Sequence, residues 1–402
     1  MRRVVITGQG AICALGRSVD SIQKAMVDGQ VAIGDLDFVD VDRLSVTIGA
    51  QIKNYDPMDH FTKQEVSLYD PFTQFALLAA KEAISASGLV FNGELAETSG
   101  VILGTAGGGL QTQDENYRSV YEEGKQRVHP LVVPRLMNNS ATSHVSMSYN
   151  LQGPSFTVAT ACASSNHAMG QAATMIASGM SDVMITGGSE SMLCFGGIKA
   201  WEGLRVMSRD GCRPFCATRN GMVQGEGAAV FVFEEYEHAR ARGADIIAEV
   251  AGFAMCSDAS DIVNPSQSGA ERAMKNALNA AELNPGDVDY INAHGTGTTA
   301  NDRTEVAAIK AVFGAVADQV SVSSTKSMHG HLIGGTGAIE LLAVTKALND
   351  DVVAPTAGYT ERDPECDLDV VPNTAKERPV NAALSNAFAF GGLNAVLALK
   401  RV

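Results

Sequence analysis

An order of elements that occurs twice constrains the fold more than any other feature of the sequence. The apolar run at 101–104 ends in a glycine-rich turn, and the run at 290–293 ends in a similar turn with glycines. The run at 156–159 leads into small residues and a helical segment, and the run at 320–323 leads into a polar turn and a helix. Strands that alternate with helices are typical of α/β proteins. The sequence therefore predicts an α/β fold of two related halves, with chemistry where their turns meet.

The two halves are predicted to divide at residue 250. Residues 1–250 form the N-terminal half, which carries a cysteine at a strand-to-helix turn. Residues 251–402 form the C-terminal half, which carries two histidines at comparable turns. The segment 234–242 is rich in charged residues and predicts a solvated connecting helix shortly before the division. A chain of 402 residues, 45% of them hydrophobic, can bury the core of one large duplicated unit.

Charge and cysteine content exclude several classes of protein. A formal net charge of −15 argues against nucleic acid as the main partner. The seven cysteines are scattered and odd in number, so we expect free thiols in a reducing compartment, the cytoplasm. Cys212 and Cys216 form one CxxxC pair without a second pair, so no metal site is predicted. We expect no signal peptide and no transmembrane segment, because no apolar run is long enough to span a bilayer.

The glycines after the first predicted strand do not make a dinucleotide site. Gly8 and Gly10 begin a sequence like GxGxxG, but Cys13 stands in place of its third glycine. No clean second strand ends in an acidic residue about 20 positions later, where such a site binds the ribose. No nucleotide cofactor is therefore expected.

Cys162 is the first candidate for chemistry. It follows the apolar run at 156–159, has small neighbours and precedes a helical segment. The partial positive charge of a helix N-terminus favours thiolate over thiol, and small neighbours let a substrate reach the sulfur. The alternative is a buried structural cysteine, which is the usual fate of a free cysteine.

Two histidines and a lysine occupy comparable places in the C-terminal half. His294 and His331 lie at glycine-bearing turns after predicted strands, and Lys326 stands shortly before His331. A lone histidine is more often structural. Two histidines at strand-end turns, together with Lys326 and Cys162, favour a catalytic site.

Four sequence blocks stand at the predicted turns: TACAS at 160–164, NAHGTGT at 292–298, KSMHGH at 326–331 and SNAFAFGG at 385–392. In this order they resemble the signature blocks of the elongating β-ketoacyl-acyl-carrier-protein synthases. The resemblance covers nearly the whole chain. Within the family, the chain is most similar to synthase II and to the nodulation protein E type of ketosynthase.

The resemblance implies an architecture and a set of partners. The family has the thiolase fold, a duplicated five-layer αβαβα arrangement, and usually forms homodimers. Its partner is an acyl carrier protein, whose phosphopantetheine carries the acyl and malonyl groups. No cofactor of the enzyme's own is therefore expected.

The resemblance also implies a reaction, a decarboxylating Claisen condensation that elongates a fatty acyl chain. Cys162 would take an acyl primer from a carrier thioester, since a thiolate is a strong nucleophile. His294 and His331 would donate from Nε2 to the enolate left when malonyl-carrier loses carbon dioxide. The backbone N–H groups of Cys162 and Phe390 would hold the oxyanion of the tetrahedral intermediate. Lys326 would tune the charge of the site, and the product would be a 3-oxoacyl chain two carbons longer.

Further residues receive supporting roles from the same resemblance. Glu305 would anchor the site, with Thr296, Thr298 and Asp302 around it. The acyl pocket and its gate are expected to contain Gly107, Trp201, Phe215, Phe388, Phe390, Gly391 and Gly392. Gly107 stands where a bulky isoleucine is common in relatives, so the pocket is predicted to be wider than theirs, unless Trp201 caps its far end.

Several positions differ from the synthase II pattern. The differences are Gly107, Cys216 in place of aspartate, His329 and Leu393 in place of threonines, and Ala389 in place of glycine. In addition, the segment 63–69 lacks a basic cluster for the carrier protein. These differences concern the length of the acyl chain and the identity of the carrier. They leave the reaction itself unchanged.

Three other interpretations compete with housekeeping elongation. One is a specialised nodulation-type ketosynthase that makes a long or unsaturated acyl chain. Another is a non-catalytic partner like a chain-length factor, but such proteins lack the cysteine that is present here at 162. The third is a degradative thiolase, which the block at 326–331 disfavours because that block belongs to the decarboxylating branch.

Overall fold

Ten strands form one continuous sheet in the computed structural model, which describes residues 2–402. The strands are β1 Val4–Cys13, β2 Gly34–Asp35, β3 Ile48–Gly49, β4 Gly100–Gly104, β5 Ser155–Val158, β6 Val183–Glu190, β7 Gly227–Glu235, β8 Ala248–Ser257, β9 Tyr290–Asn292, β10 Ser321–Ser323, β11 Val352–Val353, β12 Lys376–Glu377, β13 Ala382–Ala389 and β14 Leu393–Lys400. The pairs β2–β3 and β11–β12 form two small separate sheets.

Fourteen α-helices connect these strands within the described residues. They are α1 Val19–Val27, α2 Lys63–Leu68, α3 Pro71–Ser87, α4 Gly93–Thr98, α5 Leu110–Tyr117, α6 Val132–Leu136, α7 Ser140–Tyr149, α8 Ser164–Ala177, α9 Phe195–Glu202, α10 Tyr236–Ala241, α11 Gln267–Ala280, α12 Thr299–Phe313, α13 Lys326–His329 and α14 Thr336–Asp350. None of these helices combines the length and the apolar character that crossing a bilayer requires.

The order of strands in the large sheet is the same on both sides of its centre. From the centre outwards, one side runs β1-β7-β6-β4-β5 and the other runs β8-β14-β13-β9-β10. In both halves the outer strands are parallel and the inner ones antiparallel. The halves join where Val5 pairs with Glu249 and Ile6 with Ala248. The predicted duplicated α/β fold is confirmed.

Helices divide the molecule into five layers. Helices α3 and α7 cover the outer face of the first half-sheet, and α11 packs on the second with α12 beside it. Between the half-sheets lie α8 and α14, and each contacts strands of both halves. Nearly every residue of α14 is buried, as expected for a helix enclosed on all sides. The order α, β, α, β, α is the predicted thiolase arrangement.

The division between the halves lies earlier than predicted. Residue 250 falls inside β8, which belongs entirely to the second half, so the boundary lies in the linker 242–247. Buried and partly exposed residues alternate along most of β8. Glu249 occupies one of the partly exposed positions and interrupts the apolar residues of the strand. An alternating strand gives a weaker sequence signal than a strand buried on both faces.

Two helices of the first half have well-defined ends. Ser18 caps α1 by accepting a hydrogen bond from the backbone N–H of Ser21. Helix α3 runs from Pro71 to Ser87, and it ends at Gly88, whose φ is 69°. The alanine-rich face of α3 packs against β1 and β7. It approaches Gly8 and Gly10 of β1 so closely that neither position has room for a side chain. The first glycine-rich segment thus serves helix packing.

Candidate active site

Cys162 lies in a tight turn between β5 and α8, as the sequence predicts. The preceding Ala161 has φ of 48°, a left-handed conformation that is uncommon for a residue with a side chain. Ser164 holds the turn, because its hydroxyl donates to the carbonyl of Ala161 at 2.7 Å and accepts from the N–H of Thr160 at 2.8 Å. Cys162 is buried, and it stands two residues before Ser164, where α8 begins.

Burial dominates the chemistry of the Cys162 thiol. Burial raises the pKa of Cys162 to about 12, while the Lys326 ammonium and the backbone N–H groups of Phe390 and Cys162 act to lower it. Burial thus opposes the thiolate that the helix N-terminus favours, and the sequence analysis did not take this desolvation into account. The same two N–H groups are the pair expected to hold an oxyanion, and both are directed at the sulfur.

His294 follows β9 and is held through its backbone. Its N–H donates to Glu305 Oε1 at 2.8 Å, and the N–H of Gly295 donates to Glu305 Oε2 at 2.7 Å. Its carbonyl accepts from Lys326 Nζ at 2.5 Å. Burial, together with the charge of Lys326, lowers the pKa of His294 well below its usual range, so its imidazole is neutral. Glu305 thus holds the backbone of the turn that carries His294.

His331 is fixed in one tautomer. Its Nδ1 accepts the backbone N–H of Ile333 at 3.1 Å and lies 2.8 Å from Thr336 Oγ1. Burial and the charge of Lys326 lower the pKa of His331 well below its usual range, so only one ring nitrogen carries a proton. That proton lies on Nε2, because Nδ1 accepts a hydrogen bond. Nε2 has no partner among the described residues and is a free donor.

Lys326 forms a buried ion pair that the sequence analysis did not anticipate. Its ammonium donates to Glu340 on α14, and both side chains are fully enclosed. Burial raises the pKa of Glu340 to about 7, and the Lys326 charge opposes this shift. A single acidic residue within the otherwise apolar run 338–344 was the available sequence signal, since buried charges require a partner.

A cavity that is open to solvent brings the predicted catalytic residues together. Cys162, His294 and His331 lie in its wall, and the sulfur and one ring nitrogen of each histidine are within 4.8 Å of one another. Trp201 and Phe390 stack in the same wall with ring centroids 5.9 Å apart. Phe388 and Gly392 also line it, as predicted.

Three of the residues predicted for the acyl pocket lie outside this cavity: Gly107, Phe215 and Gly391. Phe215 is fully buried in the core of the second half, and its N–H donates to Asp302. Gly391 donates its N–H to the carbonyl of Ile262 at 2.8 Å. Gly107 does not widen the cavity, because the side chain of Met192 occupies the space beside it.

The predicted supporting residues divide into two groups. Thr296 and Thr298 line the cavity, and their hydroxyl oxygens are 2.9 Å apart. Asp302 is buried behind them, where it accepts from the N–H groups of Phe215 and Gly297 and faces Arg219. It holds the backbone behind the cavity and does not line it.

Glu190, at the end of β6, is a second buried acid that the sequence analysis missed. It accepts hydrogen bonds from Thr105, Ala106 and Gly107 in the turn after β4. It also accepts the N–H of Gly334, which belongs to the other half of the chain. One carboxylate at the end of β6 therefore joins two turns around the site. Its position directly after a Gly-Gly-Ser strand end was the only signal in the sequence.

Two of the positions that differ from synthase II have defined partners. His329 is fully buried, donates from Nδ1 to the carbonyl of Gly330 at 2.8 Å, and accepts at Nε2 from Thr325. Burial lowers its pKa to about 3. Burial acts to raise the pKa of Cys216, but hydrogen bonds from Thr218 and Thr360 outweigh it and lower the pKa to about 7. Both side chains are structural in these contacts.

In residues 2–402, Cys162, His294 and His331 are the one group of three side chains that could hold a metal ion. A thiolate and two imidazoles are ligands that zinc prefers. The N–H of Ile333 opposes metal binding, because it occupies Nδ1 of His331 and keeps the ring proton on Nε2, so neither nitrogen offers a free lone pair. The arrangement suits hydrogen-bond donation better than coordination.

Comparison with protein families assigns nearly the whole chain. Residues 1–239 match the N-terminal domain of β-ketoacyl synthases, and residues 247–360 match the C-terminal domain. The chain belongs to the β-ketoacyl synthase family. The border between the two matches falls in the same linker as the structural boundary, between α10 and β8.

Individual relatives agree with this assignment. The synthase is 49% identical to nodulation protein E of Rhizobium sp. (strain N33) and 40% identical to 3-oxoacyl-[acyl-carrier-protein] synthase 2 of Staphylococcus aureus (strain N315). Both alignments cover 100% of the chain, and they cover 100% and 98% of the relatives. A ketosynthase solved in complex with a type II polyketide acyl-carrier protein superposes with a TM-score of 0.91 at 29% identity. This match covers 100% of the synthase and 99% of that chain.

Proposed function

We propose that the synthase condenses an acyl primer with malonyl-acyl-carrier protein, with loss of carbon dioxide, to give a 3-oxoacyl-carrier protein. The observation that carries the proposal is the convergence of Cys162, His294 and His331 within 4.8 Å in one cavity wall. A nucleophile beside two neutral imidazoles suits a reaction that transfers an acyl group and then stabilises an enolate.

In the first step, the sulfur of Cys162 attacks the carbonyl carbon of the acyl thioester. The N–H groups of Cys162 and Phe390 bind the oxyanion, and its collapse releases the carrier thiol. The proton of Cys162 must leave, because burial keeps this group a thiol at rest. His294 is the imidazole that can accept it, since Nε2 of His331 already carries a proton. His294 then passes this proton to the departing carrier sulfur, which leaves as a thiol, and the imidazole is neutral again.

In the second step, the carboxylate of malonyl-carrier leaves as carbon dioxide and its bonding electrons form an enolate. Nε2–H of His331 donates to the enolate oxygen. His294 also donates to it, in the neutral tautomer whose proton lies on the ring nitrogen that faces the substrate. The enolate carbon attacks the acyl-Cys162 carbonyl, a carbon–carbon bond forms, and the sulfur of Cys162 leaves. Burial, together with the charge of Lys326, lowers the pKa of both imidazoles and keeps them neutral, so each donates from its single N–H without carrying a positive charge.

The substrates define the partner and the cofactor requirement. Both acyl groups arrive as thioesters on the phosphopantetheine of an acyl carrier protein, so the synthase needs no cofactor of its own. We place the enzyme in the cytoplasm, because all seven cysteines are free thiols, which is typical of a reducing compartment.

A specialised pathway is the second candidate for the physiological role. It is supported by the higher identity to nodulation protein E, 49%, than to 3-oxoacyl-[acyl-carrier-protein] synthase 2, 40%. On this proposal the product is a long or unsaturated acyl chain, and the chemistry at Cys162 is the same.

The test of the proposed function uses the purified full chain with acyl-carrier primers and malonyl-carrier. We expect a 3-oxoacyl product two carbons longer than the primer, and an acyl adduct on Cys162 when malonyl-carrier is omitted. Mass spectrometry detects both species. A wild-type protein that forms neither the adduct nor the product would contradict the proposal. Formation of the adduct also excludes a role as a non-catalytic chain-length factor.

A further inference from the structure

The backbone of Phe390 is not held by backbone hydrogen bonds. Phe390, Gly391 and Gly392 form the turn between β13 and β14, and the two glycines have φ of 82° and 68°. The N–H of Gly391 donates to the carbonyl of Ile262 at 2.8 Å, and the carbonyl of Gly392 accepts from Asp258 at 2.8 Å. In residues 2–402, neither the N–H nor the carbonyl of Phe390 takes part in such a bond. Because glycines make the turn flexible, the direction of the Phe390 N–H depends on its side chain.

The ring of Phe390 stacks on the indole of Trp201. The ring centroids are 5.9 Å apart and the planes differ by 22°, which is the geometry of an offset stacked pair. Trp201 is the one aromatic ring of the described residues that stacks on Phe390, and it is the single tryptophan of the chain. Both rings line the cavity that contains the sulfur of Cys162.

Trp201 is the better anchored member of this pair. It lies in α9 and packs against an apolar cluster that contains Leu44 and Val46. The next residue, Glu202, accepts the backbone N–H groups of Ser45 and Val46, the second at 2.9 Å. Helix α9 is therefore tied to the segment 44–46, whereas Phe390 stands in a turn with two glycines. The stack transfers the order of the helix to the turn.

We propose that Trp201 is a positioning residue that keeps the N–H of Phe390 directed at the oxyanion formed on the acyl group at Cys162. This inference rests on the proposed function. When the sulfur of Cys162 bonds to the thioester carbon, the π electrons of the carbonyl move to its oxygen. They return when the bond to the carrier sulfur breaks. The N–H of Cys162 lies in a turn that Ser164 holds, so only the second donor depends on a side-chain stack.

The experiment compares two reactions of Cys162 in the wild type, Trp201→Leu and Trp201→Phe. A butyryl-pantetheine thioester acylates the sulfur through an oxyanion, whereas iodoacetamide alkylates it by displacing iodide and forms no oxyanion. Trp201→Leu keeps an apolar side chain without a ring. We expect it to lower the ratio of the acylation rate to the alkylation rate about two- to tenfold. Trp201→Phe is the matched control, and its ring should restore most of the ratio.

A double-mutant cycle isolates the stack itself. Phe390→Leu removes the ring and keeps the backbone N–H, so it should lower the same ratio. Trp201→Leu should then have little further effect in the Phe390→Leu background, because the stack is already lost. If Trp201→Leu has the same effect in both backgrounds, the indole does not act through Phe390 and the proposal is wrong.

Tryptophan fluorescence reports the contact in solution. All tryptophan emission comes from Trp201, and the ring of Phe390 shields one of its faces. The quenching constant for acrylamide should therefore rise in Phe390→Ala. An unchanged constant would show that the two rings are not stacked in solution.

The rate measurements distinguish failure of this inference from failure of the proposed function. A wild type that the butyryl thioester does not acylate contradicts the proposed function. If the wild type is acylated and Trp201→Leu keeps its ratio, Trp201 does not position the N–H. If acylation and alkylation fall equally in Trp201→Leu, the residue acts on the thiol and not on the oxyanion, and the proposal is again wrong. Thermal denaturation shows whether each variant is folded.

Discussion

The sulfur of Cys162 is the atom on which the proposed reaction depends most directly. In Cys162→Ala we expect condensation to fall by about 10⁴-fold or more, because no acyl intermediate can form. The protein should still fold, since the change removes one atom in a turn held by Ser164. Steady-state product formation and circular dichroism measure the two effects. Normal elongation by a folded Cys162→Ala protein would refute the mechanism.

Cys162→Gln provides the complementary result. The side-chain carbonyl of glutamine resembles an acyl thioester and can accept from the N–H groups of Cys162 and Phe390 that are directed at this position. We therefore expect this variant to release carbon dioxide from malonyl-carrier without any primer. Absence of carbon dioxide release from a folded Cys162→Gln protein would count against the assigned oxyanion site.

The two histidines are predicted to differ in the acylation step although both serve decarboxylation. In His294→Ala and His331→Ala we expect carbon dioxide release to fall by about 10²- to 10³-fold, the usual effect of removing one donor from a developing oxyanion. Acylation of Cys162 should be nearly normal in His331→Ala, because Nε2 of His331 already carries a proton and cannot accept another. It should be slower in His294→Ala.

Rapid-quench mass spectrometry of acyl-Cys162 separates these steps. Cys162→Gln in combination with each histidine variant isolates decarboxylation from acylation. If His331→Ala acylates more slowly than His294→Ala, the tautomer derived from the Ile333 contact is wrong for the working enzyme. If both variants acylate at the wild-type rate, neither imidazole accepts the proton of Cys162.

At the scale of elements, Glu190 joins turns that belong to different parts of the chain. Its carboxylate accepts from the turn after β4 and from Gly334, 144 positions away. In Glu190→Gln, an NH₂ group replaces one carboxylate oxygen. A hydrogen-bond donor then faces the N–H and hydroxyl donors that Glu190 accepts from. We expect a loss of roughly 2–4 kcal/mol in the free energy of unfolding, because buried N–H groups lose their acceptor. Urea denaturation measures this loss of stability. The rate of condensation should also fall.

Glu226→Gln is the matched control for Glu190→Gln. Glu226 is also buried, but it accepts only from the N–H of Ile52 and the hydroxyl of Ser191. A glutamine can satisfy both groups, so we expect a smaller loss of stability. Equal losses in the two variants would show that burial of the acid, and not its number of donors, determines the effect.

The sequence predicted elements better than it predicted contacts. The turns with Cys162, His294 and His331 were located because each combines a buried strand, small residues and a reactive side chain. Glu190, Glu340 and Met192 were missed because their partners lie in other elements: Gly334, Lys326 and Gly107. Local spacing carries no information on which distant residue fills a gap or neutralises a charge. For this reason the sequence analysis assigned pocket width to Gly107 from a resemblance, whereas the structure shows the side chain of Met192 packed against that glycine.

At the scale of the whole molecule, the sequence predicted the duplication but not how the halves join. The repeated order of strands was visible because buried strands are short apolar runs. The pairing of β1 with β8 extends over only two residue pairs, which leaves no recognisable signal. The burial of α8 and α14 between the half-sheets followed only from the resemblance to the thiolase fold. Long-range packing of this kind depends on the complete set of elements.

The large sheet ends at β5, and this edge is where we expect a second copy of the chain. One side of β5 pairs with β4, and its other side has no partner strand within the described residues. Phe156 on this strand and Met147 on the neighbouring α7 are exposed apolar side chains. An unpaired strand edge with apolar residues favours association with another strand. A twofold axis would place two β5 strands side by side.

We therefore predict that the synthase is a homodimer of about twice 42.1 kDa and that Phe156→Asp makes it monomeric. The twofold axis would bring the two introduced carboxylates near each other, and each would lose an apolar contact worth about 1–3 kcal/mol. Val402→Arg is the control, because it adds a charge at an exposed apolar residue of the other half. Sedimentation equilibrium measures the mass of each protein. A monomeric wild type, or a Phe156→Asp protein that remains dimeric, would show that β5 is not the interface.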